Sequence, residues 1–109
     1  MGDIGYVSEG DFQAEVLKSS QPVLVDFTAT WCGPCKMLEP VVKQLASHWD
    51  SRVKVVKVDV DQCQNLAMGF QVMGVPTLIL FVDGKPVERT TGYQPREKLQ
   101  RKFQAHLGF

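Results

Sequence analysis

VLVDFTATWCGPCKMLEPVV, residues 23–42, passes from one periodicity into another with no linker between them. Val23 to Thr28 is apolar and β-rich with one acidic interruption, the pattern of a strand covered on both faces. From Gly33 to about Trp49, the apolar residues Met37, Leu38, Val41, Val42, Leu45 and Ala46 recur at threes and fours, which predicts a helix with one buried stripe. Pro40 falls inside that stripe and predicts a kink, because proline lacks the amide hydrogen and crowds the carbonyl four residues back. Cys32 and Cys35 stand where strand gives way to helix.

That placement has chemical consequences. A helix N-terminus carries unpaired amide hydrogens and about half a positive charge, so a thiol there is favoured as thiolate, the nucleophilic form. Cys32, nearer the helix end, is expected to attack. Cys35, one turn in, is expected to be more buried and to resolve the mixed disulfide. Gly33 and Pro34 permit the tight turn that brings the sulfurs within bonding reach. Three other readings compete. As a staple the pair closes too short a loop to constrain the chain. A structural zinc needs four ligands, and beyond the pair only Cys63, His48 and His106 are available, in no second paired spacing. Inert core cysteines sit poorly with Trp31 and the strand-to-helix placement.

Outward from this stretch, Gly5 to Val7 reads as a short strand, followed by Ser8 as N-cap, Asp11 three residues on, and a helix through about Lys18. Residues 53–58 read as a strand, and 61–70 as a short helix with Asp61 as cap. Residues 77–82 and 87–90 flank the hairpin signal Asp83-Gly84. Pro95 opens a last helix through Leu99, Phe103 and Leu107 to Gly108. The order β-α-β-α-β-α-β-β-α predicts an α/β fold with a mixed sheet, parallel crossovers first and an antiparallel hairpin after, with helices on both faces. A length of 109 residues suits a single domain over 1–109.

Twelve basic and twelve acidic residues leave no net field to draw in nucleic acid or an anionic membrane. No apolar stretch approaches the roughly 20 residues of a membrane helix. The start, MGDIGYVSEGDF, is unlike a secretory signal, so a cytoplasmic location is expected; MGDIGYVS also fits the loose myristoylation pattern. Three cysteines, an odd number, rule out a complete internal disulfide framework.

WCGPCK, the Val25-Asp26-Phe27 run before it, Val75-Pro76-Thr77 and Gly92 together resemble the thioredoxin family, with elements in matching order over essentially the whole chain. The resemblance implies a thioredoxin fold, a central mixed five-stranded sheet flanked by four helices. It implies a general protein disulfide reductase cycling Cys32 and Cys35 through a mixed disulfide with the substrate protein. No cofactor beyond the pair is implied. Electrons would come from NADPH through a separate thioredoxin reductase, or from a ferredoxin-linked one, because the chain has no dinucleotide-binding fingerprint. Disulfide-containing proteins are the implied substrates, and a monomer is the expected state. A secretory oxidant or isomerase of the same fold, or a non-enzymatic binding module, are the alternatives; Gly-Pro between the cysteines speaks against the first.

Asp26 and Lys57 each interrupt an apolar strand, and neighbouring strands would bring them together, which would account for both being tolerated. Asp26, with a raised pKa, is then expected to take the proton of Cys35 during resolution. A partly solvated strand-end carboxylate without that role is the alternative. The family implies a cis Val75-Pro76 bond facing the cysteines, which sequence alone would not predict. An extended substrate segment could then pair with the Val75 backbone. Trp31, Gly33, Pro34, Val60, Val75, Pro76 and Gly92 would form a mostly apolar docking surface. Cys63 reads as an ordinary helix-start residue, with an auxiliary thiol as alternative; Trp49 and Met37 read as packing residues. His48 and His106 read as surface residues without an identified partner, and Lys36 either raises the local potential or is simply solvated. Many thioredoxins carry a second tryptophan close before the motif, whereas here Thr28 and Thr30 flank Ala29, which leaves the packing behind Trp31 open.

Overall fold

In the computed structural model, which describes residues 4–109, Val23–Thr28 forms strand β1, buried at every position. It is central. Strand β2 (Lys54–Asp59) pairs with it in parallel, β3 (Thr77–Val82) pairs antiparallel on its other side, and β4 (Lys85–Thr91) pairs antiparallel with β3. The order is β2-β1-β3-β4. Between β1 and β2 runs helix α1 (Gly33–Trp49), between β2 and β3 the short α2 (Gln64–Gly69), and α3 (Arg96–Gln104) follows β4.

Among the described residues the sheet has four strands, not the five expected. The Gly5–Val7 segment lies beside β2 but makes only one parallel bridge, Tyr6 to Lys57, with Val7 N–H donating to the Lys57 carbonyl at 2.8 Å and Lys57 N–H to Gly5 at 2.9 Å. Pairing stops there because the chain turns at once: Asp11 N–H donates to both the carbonyl (3.2 Å) and the hydroxyl (3.3 Å) of Ser8. Ser8 therefore caps a turn. The helix expected through Lys18 is a five-residue π-helix, Gln13–Leu17, so three α-helices and not four flank the sheet among the described residues. Met1 to Asp3, which begin the myristoylation pattern, lie outside the described residues.

Two further local expectations are corrected. Asp61 does not cap α2: Cys63 occupies the N-cap position, and the carboxylate of Glu9 accepts from the N–H groups of Asn65 (2.8 Å) and Leu66 (3.3 Å). The capping anion thus comes from a distant segment. The last helix ends at Gln104, before Leu107. α1 runs unbroken through Pro40, which leaves the Lys36 carbonyl without its intrahelical donor.

Side chains alternate across the sheet. Leu24, Leu78 and Leu80 pack against Leu38, Val42, Leu45 and Trp49 of α1 and Leu99 and Phe103 of α3. Val23, Val25, Phe27, Ile79 and Phe81 pack on the opposite face with Phe12, Val16 and Phe70. Met37, expected to pack, is largely exposed; the stripe starts at Leu38, one position round the helix. Trp49 is fully buried, its Nε1–H donating to Gln104 Oε1 at 3.2 Å. The two filled faces fix β1 from both sides, and with it the point where α1 begins.

Candidate active site

Cys32 is the N-cap residue of α1, in extended backbone at φ −92°, ψ 113°, and Gly33 and Pro34 follow as the opening helical residues. It forms a disulfide with Cys35, with 5.3 Å between Cα atoms. The Cys35 backbone N–H donates to Cys32 Sγ at 3.2 Å. One of the amides left over by the helix geometry therefore points at the first sulfur and favours negative charge there. The same sulfur lies 3.7 Å from the Val75 carbonyl oxygen. The expected difference in burial is absent: Cys32 is 4% exposed and Cys35 5%, because Cys32 is tucked against Ala29, Val60 and Val75. What differs is their polar surroundings.

Cys35 borders a cavity of about 210 Å³ that also reaches Asp26, Glu39, Lys57 and Tyr6. Asp26 is 3% exposed, and its Oδ1 has no hydrogen-bond partner among the described residues. Burial pushes its carboxyl up to about 7; the Lys57 charge opposes this and the Glu39 charge reinforces it. Asp26 and Lys57 are register partners on β1 and β2. Yet the Lys57 ammonium makes its ion pair with Glu39, at 3.3 Å, and sits 4.5 Å over the Tyr6 ring. Sequence reading missed Glu39. The available signal was its spacing, four residues after Cys35 and so on the same helix face.

Trp31 is 67% exposed, and its Nε1–H donates to Asp61 Oδ2 at 2.8 Å. This gives Asp61 its role and the indole a fixed edge, where a second tryptophan is lacking. Gly33 and Pro34 are exposed, Val60, Val75 and Gly92 half-buried, and Pro76 buried. The Val75-Pro76 bond is cis. Pro76 thus lies beneath the expected surface, while Met73, two residues before Val75, is 93% exposed. Gly92 N–H donates to the Pro76 carbonyl at 2.8 Å, and Gly92 has φ +88°, a conformation that a side chain disfavours. Gly92→Ala is expected to lower unfolding free energy by about 1 kcal/mol in denaturant titration; equal stability would mean the loop relaxes freely.

Cys63 is buried at the start of α2, and burial first, then the Glu9 and Asp59 charges, push its thiol up, away from reactive thiolate. Both histidines have partners: His48 lies 3.0 Å from Gln100 Nε2, and His106 2.9 Å from Glu88 Oε1. Lys36 is exposed at the cavity rim. Among the described residues no His, Cys, Asp and Glu grouping suits a metal ion, and no helix is long and apolar enough to cross a membrane.

A dithiol whose first sulfur is held for ionisation, and whose second closes the ring on it, exchanges electrons with other disulfides; this is the chemistry of a thiol–disulfide oxidoreductase. The thioredoxin family model matches residues 3–105. The chain is 45% identical over 101 residues to thioredoxins of Staphylococcus aureus strains Mu50, MW2 and N315, covering 93% of this chain and 95% of each relative. It belongs to the thioredoxin family, and is a protein-disulfide oxidoreductase working through the Cys32-Cys35 pair.

Proposed function

We propose that the chain is a general disulfide reductase of the cytoplasm, a monomer recharged by a separate thioredoxin reductase at the expense of NADPH. An extended substrate segment lies along the Val75 backbone, and Trp31, Gly33, Pro34, Val60 and the loop of Pro76 and Gly92 seat the residues around its disulfide. The Cys32 thiolate attacks one substrate sulfur and the other leaves as thiolate, giving a mixed disulfide. Asp26 takes the proton of Cys35, with Lys57 setting the charge balance beside it. The Cys35 thiolate then attacks Cys32 Sγ and releases the second substrate thiol. Two electrons pass to the substrate, and the pair ends as the disulfide.

The observation that carries this reading is the Cys35 N–H directed at Cys32 Sγ, with Asp26 in the cavity behind Cys35. Equilibration against a redox buffer tests the direction of electron flow. A value near −270 mV, characteristic of thioredoxins as a class, is expected; one near −120 to −180 mV would make the chain an oxidant or isomerase. Trp31→Ala is expected to raise KM for a protein disulfide about ten-fold while leaving a small-molecule disulfide unaffected. Equal loss on both substrates would remove Trp31 from docking.

A further inference from the structure

The Asp26 carboxylate and the Lys57 ammonium stand on register-paired positions of adjacent strands and line one cavity, yet the cation is bound elsewhere. Lys57 Nζ lies 3.3 Å from Glu39 Oε2 and 4.5 Å over Tyr6, while its side chain is only 12% exposed. Glu39 is 41% exposed in its side chain and also lies 3.9 Å from Lys43, itself 43% exposed, so the chain of charges runs from Lys57 out to solvent through Glu39. The groups around the buried carboxylate are therefore Lys57 on β2, Lys36, Glu39 and Cys35 on α1, and Tyr6 on the N-terminal segment. A cation closed directly onto Asp26 would hold it ionised and make it a poor base at neutral pH. A cation held to one side favours the ionised form less, and a second carboxylate nearby disfavours it.

We infer that Glu39 is a positioning residue: by holding Lys57 over Tyr6 it keeps that cation from closing an ion pair with Asp26, and so keeps Asp26 able to accept a proton. The inference rests on Asp26 being the acceptor for Cys35. Glu39 touches neither substrate nor sulfur; it acts through Lys57. Because it is half-exposed on a helix surface, its isosteric neutral variant leaves the core intact.

The test follows the Asp26 carboxyl by carbon-labelled aspartate NMR across pH. It uses the oxidised protein, in which Cys35 does not titrate. Glu39→Gln is expected to lower the Asp26 midpoint by about one pH unit, a ten-fold change in proton affinity. In the Lys57→Gln background the same substitution is expected to shift it clearly less, because the cation it positions is gone. An unchanged midpoint in Glu39→Gln overturns the inference. Equal shifts in both backgrounds also overturn it, since Glu39 would then act by its own charge and not through Lys57. These readouts do not require Asp26 to be catalytic. Failure of that underlying reading shows separately, as an Asp26→Asn variant that reduces protein disulfides at the parental rate.

Discussion

Cys32→Ser is expected to reduce insulin disulfides, with dithiothreitol as electron source, no faster than dithiothreitol alone, a loss of about a thousand-fold or more in the catalysed rate. The hydroxyl keeps the size of the thiol, and the Cys35 N–H still has an oxygen to meet at the N-cap, so the fold is retained. What goes is the one atom that attacks. Cys35→Ser separates the steps: Cys32 still attacks, but nothing resolves, so the protein accumulates as a covalent adduct with its substrate. Retained catalysis in Cys32→Ser, or trapping by that variant and not by Cys35→Ser, would reverse the assignment of the sulfurs.

Asp26→Asn has two large effects of opposite benefit. Where resolution limits the cycle, the rate falls about 100-fold, the usual weight of a positioned base. The stability effect follows from the titration. Folding raises the Asp26 pKa from 3.8 to about 7, so between these values the folded state binds more protons than the unfolded one, and stability falls as pH rises through that range. Above pH 7 the buried charge costs about 4 kcal/mol at most. The asparagine variant is therefore expected to be more stable than the parent above pH 7, with the gain shrinking to nothing below about pH 4. Denaturant titrations of the oxidised proteins at both ends of the range check this. A variant that is equally stable at high pH would mean that Asp26 is solvated, and an unaltered rate from about pH 6 to 8 would take it out of the mechanism.

The centre of the fold was legible because its signals are local. Val23 to Thr28 reads as a doubly covered strand and is one; Leu38, Val42, Leu45 and Trp49 repeat at helical spacing and are buried. The edges were less so. The Gly5–Val7 segment has strand composition, but whether it extends a sheet depends on how soon the chain turns, which Ser8 and Asp11 decide through hydrogen bonds. Asp61 has the chemistry of a cap, but a carboxylate from Glu9 reaches the α2 amides and leaves Asp61 to Trp31. At the site, the cysteines were legible from residue type and position. The ion-pair partner of Lys57 was not: strand register favours Asp26, and the side chain turns instead to Glu39 on the helix above. Burial of Pro76 and exposure of Met73 belong to loop geometry, which one-dimensional spacing does not encode.

Titration of the reduced protein by thiolate absorbance, with alkylation by iodoacetamide across the same pH range, bears most directly on the sulfur at the head of α1. Cys32 is expected to ionise well below a free cysteine thiol and to take up nearly all the alkyl group, leaving Cys35 unmodified near neutrality. Ionisation of Cys32 at the pH of free cysteine, with label divided evenly between the sulfurs, would contradict it.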